Sequence, residues 1–221
     1  MNMVFCLVKK DFLLVRKALP LVLAFVIVYP IVYAVEFEPK EAIESMGPVI
    51  FGPLASLCTF MIYHNISLEE QKHRGTQLLA ATPYGRRKIV IAKYLTLLVT
   101  YIMIATTYVA ISRLIPFEFP RVDWRAVSIV FLCLSVFLGV YLLMAFKFGY
   151  AKVQVVGYLL VFATPILISR LKRWAESGII SLRLMESLST TGFGLTALAL
   201  GALIGMISCV ISIDIFERKD L

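Results

Sequence analysis

The chain contains 221 residues, of which 60% are apolar and 16% are charged. Soluble domains are roughly 45–50% apolar, so this composition excludes an ordinary soluble domain and indicates a membrane protein. The formal net charge is +8, but the basic residues flank apolar runs, where lipid headgroups are a simpler partner than nucleic acid. We therefore expect no nucleic-acid partner.

The residues before the first apolar run predict an amphipathic helix on the membrane surface. Phe5, Val8, Phe12 and Val15 recur at helical spacing, which gives the helix one apolar face. Basic residues lie on its other faces, where they would be attracted to anionic lipid headgroups. These are Lys9, Lys10, Arg16 and Lys17.

Long uncharged runs hold most of the apolar residues. Each is comparable in length to the roughly 20 residues that a helix needs to cross the hydrocarbon core. Strands of a membrane barrel would be about 10 residues long and would alternate apolar with polar residues, which these runs do not. The sequence therefore predicts an all-α, polytopic membrane protein with six transmembrane helices in a single domain, 1–221. The predicted spans are 18–35, 46–63, 94–112, 126–146, 153–169 and 190–213.

A polar segment, 64–93, separates the second and third spans. Within it, Ser67 and Glu70 fit the S-x-x-E capping box, in which each side chain accepts a hydrogen bond from a free backbone N–H. This pattern predicts a helix that begins at Leu68. Gly75 would bend or end that helix, and a Thr-Pro pair further on would start the next. Two short, well-specified helices indicate a surface for a rigid partner, although a solvated charged connector is the alternative.

The positions of the basic residues predict how the chain faces, because Lys and Arg concentrate in short cytoplasmic loops. Six spans put both termini on one side together with the segment 64–93, and that side holds most of the basic residues. Both termini are therefore predicted to be cytoplasmic. The segment 170–189 is also basic, yet it would lie outside, either as short interfacial helices or as a loop. A chain of five spans would move it inside but leaves the apolar run 153–169 unexplained.

The last span carries small residues one helical turn apart, at Ala197, Gly201 and Gly205. Such a row permits helices to approach closely in lipid. It predicts helix packing, either within this subunit or between two subunits.

The segment 64–93 contains an acidic start, a Gly-Thr pair, a Leu-Leu pair and a proline followed by basic residues. In this order and spacing it resembles the coupling helix of six-helix permease subunits of ABC transporters of the ABC-2 type, bacterial exporters whose ATPase is often a separate polypeptide. Gln77 departs from the pattern, because many relatives have Glu there. The matching residues are Glu69, Glu70, Gly75, Thr76, Leu78, Leu79, Pro83, Arg86, Arg87 and Lys93.

The resemblance implies export of an amphipathic peptide, antibiotic or lipid-like cargo across a bacterial cytoplasmic membrane. It also implies two copies of an ABC ATPase subunit, which would bind ATP and Mg, and a second permease subunit that is identical or homologous. By the same resemblance, the ATPase-coupling interface would consist of Ser67, Leu68, Glu69, Glu70, Lys72, Arg74, Gly75, Thr76, Leu78 and Leu79.

Motifs for chemistry within this chain are absent from the sequence. It has no G-x-x-x-x-G-K-[ST] phosphate loop, H-E-x-x-H zinc motif or G-x-S-x-G elbow. The spans hold no Asp, Glu, His, Lys or Arg, which ion-driven carriers normally use, although Pro48 and Pro53 could break the second span. His64 is interpreted as an interfacial polar residue. We predict no catalytic, cofactor-binding or metal-binding residue in this chain. The alternative function is a non-transporting scaffold or receptor-like protein that recruits a cytoplasmic partner through 64–93.

Overall fold

The computed structural model describes residues 2–36, 41–72, 85–114, 119–150, 152–159 and 190–218. Those residues are almost entirely helical and contain no strand, so the predicted all-α fold class is confirmed. Residues 152–159 are helical as well. The long helices within the described residues are α1 (Asn2–Leu14), α2 (Leu19–Glu36), α3 (Glu41–Lys72), α4 (Arg86–Leu114), α5 (Trp124–Phe148) and α6 (Thr190–Glu217).

Four of these helices, α3 to α6, are long and apolar enough to cross a membrane. A fifth span is obtained if α1 and α2, which are bent by 71° at the break between them, are counted as one broken span. Of the predicted span 153–169 the structure describes only the part within 152–159. The chain is therefore a multi-pass membrane protein, and the count of six spans stays a prediction.

The helix α1 packs one side on the other helices, and this side matches the predicted apolar face except at Phe5. Its buried residues include Leu7, Val8 and Asp11, and Val15 directly after it is also buried, whereas Phe5 is 73% exposed. The prediction of a buried apolar face is therefore wrong at Phe5. It also did not include Asp11, which lies on the buried side. The signal was the spacing of three and four residues that puts Asp11 on the same face as Val8 and Val15.

The helix α3 runs without a break from Glu41 to Lys72 and includes both Pro48 and Pro53. The predicted helix start at Leu68 is wrong, because the chain is already helical there. Ser67 and Glu70 lie within α3 with buried side chains and do not cap a helix. Tertiary packing outweighs the local capping signal. Prolines are tolerated in transmembrane helices where neighbouring groups satisfy the freed backbone.

The centre of the bundle is built around α3. Within its spanning stretch 67% of the residues are buried, against 22% for α6, so α6 lies at the periphery. Aromatic side chains fill the core. Phe51 lies 5.0 Å from Tyr108 and Phe60 lies 5.4 Å from Tyr141, measured between ring centroids.

The helices α5 and α6 approach closely at glycines. A Cβ added to Gly201 would lie 2.9 Å from the ring of Phe131, and one added to Gly139 would lie 3.0 Å from the hydroxyl of Ser208. Ala197 is also buried. Gly205 differs, because a Cβ there would meet no atom within 4 Å. Of the predicted small-residue row, Gly201 therefore packs against α5 and Gly205 borders open space.

Candidate functional site: a buried charge cluster at one end of the bundle

A lysine on α4 lies between two carboxylates from other helices. The Nζ atom of Lys93 is 2.8 Å from Oε1 of Glu70, near the end of α3, and 3.2 Å from Oδ2 of Asp11 on α1. The relative exposures are 6% for Lys93, 8% for Glu70 and 1% for Asp11. Three helices thus meet through charged groups that are almost completely withdrawn from solvent.

A second lysine completes the cluster. The Nζ atom of Lys10 lies 2.6 Å from Glu70 and 3.1 Å from Asp11. The Lys10 side chain is 33% exposed. The hydroxyl of Thr96 lies 3.2 Å from Asp11 and 2.9 Å from the carbonyl oxygen of Ala92, so it can donate to either. With two cations and two anions the cluster is neutral.

Neutrality matters because a buried charge is costly unless it is paired and hydrogen-bonded. Replacing a complete buried pair with apolar groups is often neutral, but removing one partner costs about 3–5 kcal/mol. Each charged side chain of this cluster therefore depends on the others. The contacts favour one relative placement of α1, α3 and α4.

A second set of polar contacts lies at the start of α4. Gly85 has φ +73°, which permits the turn into the helix. The Nε atom of Arg87 lies 2.6 Å from Oε1 of Glu217, the last residue of α6. Arg86 donates through Nη1 to the backbone carbonyl oxygens of Phe216, at 3.4 Å, and Glu217, at 2.9 Å. These carbonyls belong to a helix end that lacks backbone partners and attracts cations.

The two sets of contacts flank the segment 73–84. Glu70 fixes the chain just before it to α1 and α4, and Arg86 and Arg87 fix the chain just after it to α6. Apolar contacts join the same elements, since Leu7 of α1, Ile89 of α4 and Phe216 of α6 belong to one buried cluster.

The residues predicted for the coupling interface fall into three groups. Ser67 and Glu70 are buried within the bundle. Leu68 and Glu69 are partly exposed and Lys72 is exposed, with Lys72 Nζ 2.6 Å from Glu69. The others lie outside the described residues: Arg74, Gly75, Thr76, Leu78 and Leu79.

His64 lies among aromatic rings of α3 and α5 and those of Tyr150 and Tyr158. Its Nε2 atom is 2.8 Å from the hydroxyl of Tyr158, and its Nδ1 atom contacts the hydroxyl of Tyr150. Both ring nitrogens are thus engaged by tyrosines. Within the described ranges no group of three or more His, Cys, Asp or Glu side chains is placed to hold a metal ion.

Sequence reasoning named Glu70 and Lys93 but not the contact between them, and it did not single out Asp11 or Thr96. The resemblance includes Lys93 among the basic residues that follow the proline, and in the structure this lysine is buried. A usable signal was the single acid, Asp11, among the apolar positions of α1. A second was the interval of three residues from Lys93 to Thr96, which puts both on one face of α4.

Comparison with known proteins identifies the kind of protein that carries this arrangement. The model of the family described as ABC-2 family transporter protein matches residues 6–217, from within α1 to the end of α6. No curated protein and no solved structure matches the chain.

Proposed function

Because the chain belongs to the ABC-2 transporter family, we propose that it is the permease subunit of an ATP-driven exporter that carries an amphipathic peptide, antibiotic or lipid-like cargo. In this proposal it pairs with a second permease, identical or homologous, and two copies of an ABC ATPase subunit bind the complex from the cytoplasm. ATP and Mg are bound by those subunits. The sequence of the permease lacks the phosphate loop that such binding requires.

The anchoring of both ends of 73–84 is the observation that carries the proposal. In an ATP-driven transporter, a movement of the ATPase must reach the membrane helices through the permease. A force applied to this segment would act directly on Glu70, and through its bonds to Lys10 and Lys93 it would act on α1 and α4. Through Arg87 it would act on Glu217 and α6.

The transport cycle needs two states of the bundle. The ATPase shifts the equilibrium between them only by as much as its binding differs between the two. In this mechanism the segment 73–84, together with Leu68, Glu69 and Lys72, contacts the ATPase. Ser67 and Glu70 act inside the permease and transmit the movement without contacting the partner.

The positions of the basic residues support placing the segment 73–84 on the cytoplasmic side. Near the cluster, α1 carries Lys9 and Lys10, and the first turn of α4 carries Arg86, Arg87 and Lys88. Basic residues of this kind favour the cytoplasmic side. We place both termini and the segment 73–84 in the cytoplasm, and the protein in the bacterial cytoplasmic membrane.

The test is a matched pair of variants, Glu70→Gln and Glu69→Gln, in the complex purified from its own membrane. We expect an ABC ATPase, identified by mass spectrometry, to stay bound to the wild type and to both variants. Glu70→Gln should lose transport and the stimulation of ATP hydrolysis by the permease, because Lys10 and Lys93 then share a single carboxylate, Asp11. Glu69→Gln should retain both, because it removes only the pair with the exposed Lys72.

Two results would contradict the proposal. If no ATPase accompanies the wild-type protein under mild solubilisation, the chain is a scaffold for another cytoplasmic partner rather than a permease. If Glu70→Gln inserts normally and transports as well as Glu69→Gln, movement does not pass through the charge cluster.

A further inference from the structure

A groove of about 300 Å³ lies between α4 and α6, with α5 as its floor. The floor consists mainly of the buried side chains of Leu134, Leu138 and Leu142. Most of the other lining residues are apolar as well, including Leu97 and Gly201. Cavities with such walls stay dry in proteins, so water is not the expected occupant.

The mouth of the groove opens away from the protein. Its rims are Ile91 and Leu98 on α4, each 39% exposed, and Met206 on α6, 62% exposed. All three helices that form the groove are apolar enough to span a membrane. The phase in contact with this mouth is therefore the hydrocarbon of the bilayer.

Side-chain contacts mark the two ends of the groove. At the end near the charge cluster, the hydroxyl of Tyr94 lies 2.8 Å from those of Ser208 and Ser212. At the other end, the rings of Tyr101 and Phe131 lie 5.4 Å apart. From Tyr94 to Tyr101 the rise along α4 is about 10 Å.

The volume and length of the groove limit what it can hold. A volume of about 300 Å³ over a length of about 10 Å gives a cross-section of about 30 Å². A groove of this size and length has room for part of an unbranched hydrocarbon chain.

A glycine keeps the channel open. Gly205 lines the groove, and a Cβ there would meet no atom within 4 Å. One turn earlier, Gly201 is packed tightly on Phe131. Close packing of α6 on α5 accounts for Gly201 but not for Gly205, where a larger side chain would project into the groove.

We propose that this groove binds one acyl chain of a phospholipid from the leaflet on the basic side of the protein. The start of α4 supplies Lys88, one helical turn from Ile91 at the wall of the groove. The Nζ atom of Lys88 lies 3.3 Å from Sδ of Met3 on α1. A cation at this depth suits an anionic headgroup. The lipid is a bound ligand of the permease and not its cargo.

The test uses the full-length chain in vesicles of phosphatidylglycerol and phosphatidylcholine that contain a trace of phosphatidylglycerol with a diazirine in one acyl chain. After illumination, mass spectrometry should find the lipid attached within 134–142, on the α5 floor. Gly205→Phe should abolish this attachment because it fills the groove. The matched control Leu203→Phe, on the exposed side of α6, should retain it.

Attachment confined to exposed positions such as Leu203 and Val210 would overturn the proposal, as would floor labelling that survives Gly205→Phe. Cross-links that place a second copy of the chain at the mouth, with no lipid on the floor, would overturn it as well. Equal floor labelling by a phosphatidylcholine analogue would refute the preference for an anionic headgroup. The measurement needs neither ATP nor an ATPase, so its outcome is separate from that of the proposed transport function.

Discussion

The contact between α1, α3 and α4 and the contact between α5 and α6 are made in different ways. The first is a neutral cluster of buried charges, in which Lys93 contacts both Asp11 and Glu70. The second depends on shape, because Gly201 lets α6 lie directly on Phe131. At the end of the bundle, paired charged side chains specify which helices meet. Within lipid, where no hydrophobic effect drives helices together, close packing has that role.

Removing one charge from the first contact should have the largest effect. Lys93→Met leaves Asp11 and Glu70 buried together with Lys10 as their only cation. We expect a loss of about 3–5 kcal/mol in the free energy of unfolding, measured by denaturant titration in mixed micelles. The matched control Lys72→Met breaks only an exposed pair three residues apart and should cost about 0.3–0.5 kcal/mol. Equal losses in the two variants would mean that the cluster is solvated and not a specific contact.

Enlarging the glycine of the second contact should have a smaller effect. Gly201→Leu forces side-chain atoms against Phe131 and should cost about 1–3 kcal/mol, as overpacked sites do. The same change at Gly205, which has no neighbour within 4 Å, should leave the unfolding free energy close to that of the wild type. A destabilisation of equal size at both positions would show that α6 is sensitive to larger side chains along its length and that Gly201 has no special packing role.

The smallest effect is expected where the two kinds of contact meet. The hydroxyl of Tyr94 on α4 bonds to Ser208 and Ser212 on α6, so Tyr94→Phe should cost about 1 kcal/mol. In a double-mutant cycle, adding Ser208→Ala with Ser212→Ala should cost less in the phenylalanine background than in the wild type, because those partners are already lost. Strict additivity would mean that these hydroxyls do not interact.

The sequence was sufficient for the properties that depend on composition and periodicity. The uncharged runs predicted helices where α2 to α6 lie, and the ten-residue pattern between the second and third spans identified the family later confirmed over residues 6–217. The bend of 71° after α1 agrees with a helix that does not continue into the first span.

The charge cluster could not be predicted, because its members come from parts of the chain far apart in sequence. Asp11 and Lys93 are separated by 82 positions and Lys10 and Glu70 by 60, and no local pattern reports such a contact. The capping box failed for a related reason. Its local hydrogen bonds compete with a continuous α3 that buries Ser67 and pairs Glu70 with two lysines, and the tertiary contacts outweigh them.

The position of Asp11 has a consequence for how the protein is made. The ribosome completes α1 before α4, so Asp11 first has only Lys10 as a nearby cation and meets Lys93 later. Because Lys10 is partly exposed, burying Asp11 with this one partner is costly, and we expect α1 to stay in the aqueous or headgroup layer while α2 and α3 insert. We therefore expect the docking of α1 to follow the insertion of α4.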